Sequence, residues 1–326
     1  MQTDIRAFIC GCKGFDLSVE EQAFISQTRP WGLILFKRNI RSKEQVYDLI
    51  KSFRSILGHS EAPVLIDQEG GRVQRLGPPL WPAYPSAASF HQQAAGNVEA
   101  AAQAIRASTK LLAADLHELG ITIDCLPVLD VPSADGHGVI GDRAYAEDPQ
   151  FVARYGAAAA AGLMAGGVLP VMKHIPGHGR ARADSHLELP IVETGLMQLQ
   201  QIDFAPFKAL AHLPMAMSAH VVYTALDPHN PATTSPHVIG SIIRDWIGFD
   251  GLLMSDDLSM KALSGSFAAR TSAAFAAGID MALHCNGDLE EAGQVALAAP
   301  ALLGKARERA ENALNLLKLP MEPVDV

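Results

Sequence analysis

Residues 148–174 read DPQFVARYGAAAAAGLMAGGVLPVMKH, and the fold turns on how this stretch is divided. Its central run, AAAAAGLMAGGVLPVM at 157–172, is apolar throughout and tempts a membrane assignment. Glycines at 166 and 167 and the proline at 170 interrupt it. A helix ending at the glycine pair, followed by a strand VLPVMKH (168–174), divides it better. Helix and parallel-type strand then alternate, with Lys173 and His174 at the strand's end.

The same unit recurs along the chain. Further strands are expected at 5–11, 31–37, 63–69, 121–130, 214–221, 251–257 and 279–285, as near-continuous apolar runs suited to parallel strands buried on both faces. Helical patterns fill 18–28, 42–57, 97–120, 148–167, 194–213, 235–248, 267–278 and about 288–318. The first opens on Ser18 with Glu21 three places later, a capping-box pattern, and several end in glycine, as helix C-termini prefer. Eight strands, each followed by a helix, predict one α/β domain over 1–326, a single (β/α)8 TIM-type barrel. No dinucleotide fingerprint follows the first strand, where CGCKGFD stands in place of GxGxxG.

Composition narrows the class. A formal net charge of −9 argues against nucleic acid as a partner, because phosphate binding needs a basic face. The N-terminal MQTDIRAFICGCKGFD lacks the basic run, apolar core and cleavage site of a signal peptide. Cys10, Cys12, Cys125 and Cys285 are scattered without CxxC pairs, which suits thiols in a reducing compartment. A soluble, cytoplasmic, monomeric protein is expected, with no membrane association.

Barrel sites form at the C-terminal ends of the strands, and the polar residues of this chain gather there. Asp67, with Glu69, Arg72 and Arg75 beyond it, follows the third strand, and Asp130 ends the fourth, with Asp142 and Arg143 in its loop. The fifth delivers Lys173 and His174, the sixth Ser218 and His220, the seventh Ser255, Asp256 and Asp257, and the eighth His284 and Asn286. The strand starts are mostly Pro, Gly, Val or Ile. That asymmetry favours a site over solvated caps.

After the fifth strand the chain reads KHIPGHGRARADSHLELP (173–190). His174, His178, Asp184 and His186 are metal-ligand types. Yet Lys173, Arg180 and Arg182 among them oppose a cation, and barrel metallohydrolases place an HxH pair where this chain reads CGC. An acid/base reading pairs Asp184 with His186, since a carboxylate beside an imidazole fixes its tautomer and favours the protonated ring. An ordinary surface pair fits the same two residues. Asp256 is placed to stabilise or attack a positive anomeric carbon, alternating with Met254 on one face, while Asp257 suits the cap of the next helix. Gly70 and Gly71 suit a tight turn that brings Arg75 back towards the pocket.

KHIPGHGRARADSH, with IDQEGGRVQRL (66–76) and MSDDLSM (254–260), resembles the family 3 glycoside hydrolases, and within them the single-domain bacterial β-N-acetylglucosaminidases. The resemblance spans nearly the whole chain. It implies that Asp184 and His186 form a dyad with His186 as general acid/base, and that Asp256 is the nucleophile. It further implies that Asp67, Arg75, Arg143, Lys173 and His174 bind the N-acetylglucosamine unit. The implied reaction is retaining, needs no metal or organic cofactor, and serves cell-wall recycling. Its substrate would be a muropeptide, N-acetylglucosamine joined to 1,6-anhydro-N-acetylmuramoyl peptide. Such substrates are anionic, so Arg180 and Arg182 are candidates for contacting their carboxylates. A phosphorylase or transglycosylase on the same scaffold, and a sugar-binding protein without catalysis, are the competing readings.

Overall fold

The computed structural model describes residues 5–133, 138, 140–181, 185 and 187–322. Its barrel strands are β1 (Arg6–Gly11), β2 (Pro30–Leu35), β3 (Val64–Ile66), β4 (Ile123–Asp124), β5 (Leu169–Ile175), β7 (Met215–Ser218), β9 (Leu252–Asp257) and β10 (Met281–His284). They close in the order β1-β10-β9-β7-β5-β4-β3-β2, with parallel neighbours throughout. Two short strands, β6 (Ile191–Val192) and β8 (Val222–Tyr223), pair outside the barrel. This is the (β/α)8 architecture that the alternation of runs predicts.

Strand periodicity explains why the runs are apolar on both sides. Ala7 and Ile9 of β1 join Ile34, Leu65, Ile123, Val171, Met215, Leu252 and Met281 in the barrel interior. The alternate residues Phe8 and Cys10 face outward against the helices. The fourth strand is much shorter than the expected 121–130. Pro127 has no N–H to donate, and pairing beyond β4 is reduced to the isolated Val128–Lys173 bridge.

The early helices follow their signals. Helix α1 (Val19–Thr28) carries the Ser18–Glu21 capping box. Helix α2 (Lys43–Leu57) is capped by Ser42 and buries Val46, Leu49, Ile50, Phe53 and Leu57, one stripe at helical spacing. Helices α4 (Val98–Leu119) and α5 (Pro149–Ala165) start at Asn97 and Asp148, whose side chains accept from backbone N–H groups of the first turn. The short α3 (Ala87–Gln93) is not evident from the sequence pattern.

Later segments depart from the expected single helices. The 194–213 stretch divides into α6 (Leu196–Gln198), a π-helical turn Leu199–Asp203 and α7 (Ala205–Ala209), because Pro206 can only sit at a helix start. Residues Val238–Trp246 are π-helical. Helix α8 (Phe267–Ala277) matches its signal. The last stretch breaks at Pro300 into α9 (Leu289–Ala298) and α10 (Gly304–Asn315). Among the described residues no helix is long and apolar enough to cross a membrane, so the apolar 157–172 run is accounted for by α5 and β5.

Glycine permits the close approach of α4 and α5. A Cβ at Gly162 would lie 2.0 Å from Thr109 Oγ1 and 2.5 Å from the Arg106 carbonyl oxygen. A Cβ at Gly293, inside α9, would meet no atom of the described residues within 4 Å beyond its own helix turn. Gly162→Ala is therefore expected to cost about 2 kcal/mol or more through overpacking, whereas Gly293→Ala gains up to about 1 kcal/mol from backbone entropy. Urea unfolding of the two variants checks the contrast, and equal effects would refute the steric account.

Candidate active site

A cavity of about 380 Å³ opens at the C-terminal ends of the barrel strands. Asp67, Arg75, Arg143, Lys173, His174 and Asp256 all line it, so six of the eight site residues expected from the sequence meet there. The other two, Asp184 and His186, lie outside the described residues, as does Arg182.

One wall is a chain of alternating charges. Arg75 Nη2 donates to Asp67 Oδ2 at 3.0 Å, and Lys173 Nζ donates to Asp67 Oδ1 at 2.9 Å. The same ammonium is 2.6 Å from Glu69 Oε1. Arg143 then clamps Glu69, Nε to Oε2 and Nη2 to Oε1, each at 2.8 Å. The Lys173 side chain is only 2% exposed. Burial alone would raise the carboxyls of Asp67 and Glu69 and depress the Lys173 ammonium; their mutual attraction wins. Asp67 is held well below the usual carboxylate range by Lys173 and Arg75, and Glu69 is lowered by Lys173 and Arg143. Lys173 is raised by Asp67 and Glu69. All carry charge at neutral pH.

Local chain geometry builds this wall. Beyond β3, Gly70 and Gly71 adopt φ of 88° and 56°, left-handed values that favour glycine. The Glu69 N–H donates to the Val73 carbonyl at 2.8 Å, closing the turn. The chain returns so that Arg75 meets Asp67, while Gln68 points away and accepts from the N–H groups of Arg75 and Leu76.

A second hub is Asp130, fully buried. Its Oδ2 lies 2.6 Å from His174 Nδ1, and its Oδ1 accepts from the His178 N–H at 2.6 Å and the His174 N–H at 3.3 Å. Against burial, His174 and His178 hold the Asp130 carboxyl down at about 2. The carboxylate favours a proton on His174 Nδ1, leaving Nε2 for a ligand. Asp130, ambiguous in sequence, is thus an orienting residue. Lys173 and His174 are adjacent yet both face the cavity, because the register against β7 shifts between Lys173 and Ile175.

Downstream, burial and His174 push His178 down to about 4, so its ring is neutral. His178 Nε2 lies 3.2 Å from Ser185 Oγ, and the Ser185 carbonyl accepts from the Ala262 N–H at 3.2 Å, in the loop after β9. Arg180 does not fit the expected carboxylate contact: its Nε donates to Asp203 at 2.7 Å in a mostly buried pair. Burial pushes Asp203 up to about 6 despite that arginine.

Asp256 lines the cavity from the tip of β9, its Oδ1 accepting from the Asp257 N–H at 2.7 Å. Asp257 lines it too, so strand alternation fails at the tip, where the β9–β10 register shifts. Nor does Asp257 cap the next helix, which Ser266 caps. Its carboxylate instead accepts from the N–H groups of Ser259 and Cys285, tying β9 to β10. His220 is a structural residue, bonded to Thr233 Oγ1 at 2.8 Å and to the Asp257 carbonyl. Asn286 caps a surface turn through Asp288 and Glu291.

Sequence reasoning gave no role to Glu69, although its place two residues after Asp67 was the available signal. It also passed over Phe36, Met217 and Leu283, which form apolar parts of the lining. On a strand such residues read as ordinary core. Among the described residues no group of three or more His, Cys, Asp or Glu side chains is arranged to hold a metal ion.

The family model described as the glycosyl hydrolase family 3 N-terminal domain matches residues 9–325. A β-hexosaminidase of Methylococcus capsulatus is 40% identical over 274 residues, covering 83% of this chain and 80% of that protein. Native NagZ from Neisseria gonorrhoeae superimposes with a TM-score of 0.81 and 31% identity, over 97% of this chain and 99% of that one. A family 3 β-N-acetylglucosaminidase from a Paenibacillus species gives a TM-score of 0.85 at 30% identity, over 96% of this chain and 60% of that longer one.

The depressed carboxyl of Asp130 makes a stability prediction. A folded-state value of about 2 against an ordinary 3.8 stabilises the fold by about 2 kcal/mol. That contribution is complete above about pH 5 and is lost progressively as pH falls through about 2. Asp130→Asn is expected to be less stable than the wild type by at least that amount at pH 7, the gap narrowing below pH 4. Urea unfolding across pH 3–7 reads it; a gap independent of pH would show that the charge is not responsible.

Proposed function

The chain belongs to the family 3 glycoside hydrolases, and from that premise we propose that it is a retaining enzyme removing terminal β-linked N-acetylglucosamine from peptidoglycan fragments. It is a glycoside hydrolase of the β-N-acetylhexosaminidase type, acting on carbohydrate. The observation that carries the finer reading is the position of Asp256, on the same small cavity as the buried charge chain and His174. Such a cavity offers several fixed donors to the hydroxyl and amide oxygens of one neutral sugar ring, with a carboxylate beside them.

In this reading Lys173, Arg143, Arg75 and His174 donate to the glycon, Asp67 accepts from its hydroxyls, and the anomeric carbon faces Asp256. The Asp256 carboxylate attacks that carbon as the bond to the leaving oxygen breaks, and His186 delivers a proton to that oxygen. Asp184 holds the His186 tautomer and stabilises its protonated form. Water then attacks the glycosyl–Asp256 ester while His186 takes its proton, freeing Asp256 and returning the sugar with its β configuration.

The proposed natural substrate is N-acetylglucosaminyl-1,6-anhydro-N-acetylmuramoyl peptide, and the proposed setting is cell-wall recycling in the cytoplasm. Support comes from the three sequence motifs and from the likeness to NagZ and to β-hexosaminidases.

Two measurements test the chemistry. With an aryl β-N-acetylglucosaminide, Asp256→Ala is expected to lower kcat by about a thousandfold or more, and NMR should show the β-anomer as the first sugar released by the wild type. First release of the α-anomer, or near-normal turnover by the variant, would overturn the nucleophile assignment. For His186→Ala, kcat/KM is expected to fall by about a hundredfold on substrates with poor leaving groups and much less on dinitrophenyl glycosides. A uniform loss across leaving groups removes His186 as the acid.

A further inference from the structure

We propose that Glu69 is a positioning residue that also sets the charge of the glycon pocket, reserving it for a neutral, hydroxyl-rich ring and against anions. This inference rests on the reading that Lys173 and Arg143 bind the glycon. Glu69 is the only member of the five-residue charge chain to which the motifs give no role. Its side chain is 4% exposed, with Lys173 on one oxygen and Arg143 across both.

The first consequence is direction. An ammonium has three protons. Asp67 and Glu69 take two from Lys173, so one remains to be offered. Arg143 presents its Nε edge to Glu69, which leaves the other N–H groups of a planar fork aimed elsewhere. Arg143 ends the 3-10 turn Gly141–Arg143 in a loop, whereas Lys173 stands on β5. Glu69 is what both share. It also stands at the glycine turn, where its own N–H is bound to Val73, so the carboxylate is fixed from its backbone outward.

The second consequence is charge. Arg75, Lys173 and Arg143 against Asp67 and Glu69 leave this wall of the pocket with one net positive charge, and removing Glu69 doubles it. Two cations sharing a buried wall without their carboxylate form a site for sulfate or phosphate. With Glu69 in place, both are already committed to it, and what they still offer suits the oxygens of an uncharged sugar.

The experiment compares wild type, Glu69→Gln, Glu69→Asp and Arg143→Ala with an aryl β-N-acetylglucosaminide, at constant ionic strength, with and without sodium sulfate. Glu69→Gln is expected to raise KM by about tenfold or more with a smaller change in kcat. It should also gain competitive inhibition by sulfate, with Ki at least about tenfold below that of the wild type. Glu69→Asp keeps the charge and loses the reach, so its KM should rise without the new inhibition. A purely structural Glu69 would lower the melting temperature but leave sulfate inhibition as in the wild type, which overturns the proposal. Should Glu69→Gln not fold, Glu69→Asp decides, and an unchanged KM there overturns it. Arg143→Ala separates the two levels. If its KM is unchanged, the glycon-binding reading fails; if it rises while Glu69→Gln and Glu69→Asp behave as wild type, only the role of Glu69 falls.

Discussion

A lysine ammonium buried at the mouth of a barrel is the constraint from which most of this site follows. Removing such an ion from water costs several kcal/mol unless it is paired and fully hydrogen-bonded. Lys173 meets that requirement through Asp67 and Glu69, which themselves need further partners, and Arg75 and Arg143 supply them. The Gly70–Gly71 turn exists in this arrangement to return Arg75 to Asp67, and the loop after β4 to bring Arg143 to Glu69. Loops that would otherwise be free to vary are thereby bound to β5 by charge. A substrate then meets donors already fixed in place, which is where electrostatic recognition gains most.

His174, the next residue along β5, is served by a separate carboxylate. Asp130 comes from the fourth strand's loop and accepts from both the ring and the backbone of His174, and from the backbone of His178. Two adjacent residues of one strand thus answer to different carboxylates: Lys173 to Asp67 and Glu69, His174 to Asp130. The register shift in β5 makes this possible by presenting both to the cavity. Asp256 enters from β9, across the barrel from β3 and β4 in the strand order. Glycon-binding groups and the proposed nucleophile therefore stand on different strands, and the closed barrel sets the distance between them.

The fold was legible because its signals are local and repeated. Apolar runs, capping residues such as Ser18, Ser42 and Asn97, and glycine stops located every barrel strand and most helices. Where reading failed, a competing constraint had intervened. Pro206 and Pro300 broke helices whose apolar spacing continued past them, and Pro127 shortened the fourth strand. The site was legible in its residue types and strand-end positions, since six of its expected members share one cavity. What one sequence could not convey was partnership. Arg180 looked available and is paired with Asp203; Asp257 looked like a helix cap and ties two strands together; His220 looked like a site residue and holds Thr233. Partners far apart in the chain leave no local trace.

Asp124 shows how finely the charge of the wall is set. It is fully buried at the end of β4 and accepts from the Gln68 N–H at 2.9 Å through Oδ1, while its Oδ2 has no hydrogen-bond partner among the described residues. Burial raises its carboxyl well above the ordinary value against the pull of the Gln68 N–H and of Lys173, and the charges of Asp67 and Glu69 add to the rise. A third carboxylate charge there would cancel the net positive charge of Arg75, Lys173 and Arg143 over Asp67 and Glu69, and burial opposes it. Of the three buried acids Asp67, Glu69 and Asp124, the two with arginine partners are lowered and the one without is raised. On this wall, then, an arginine brought by a loop separates the carboxylates that are held charged from the one whose charge burial opposes.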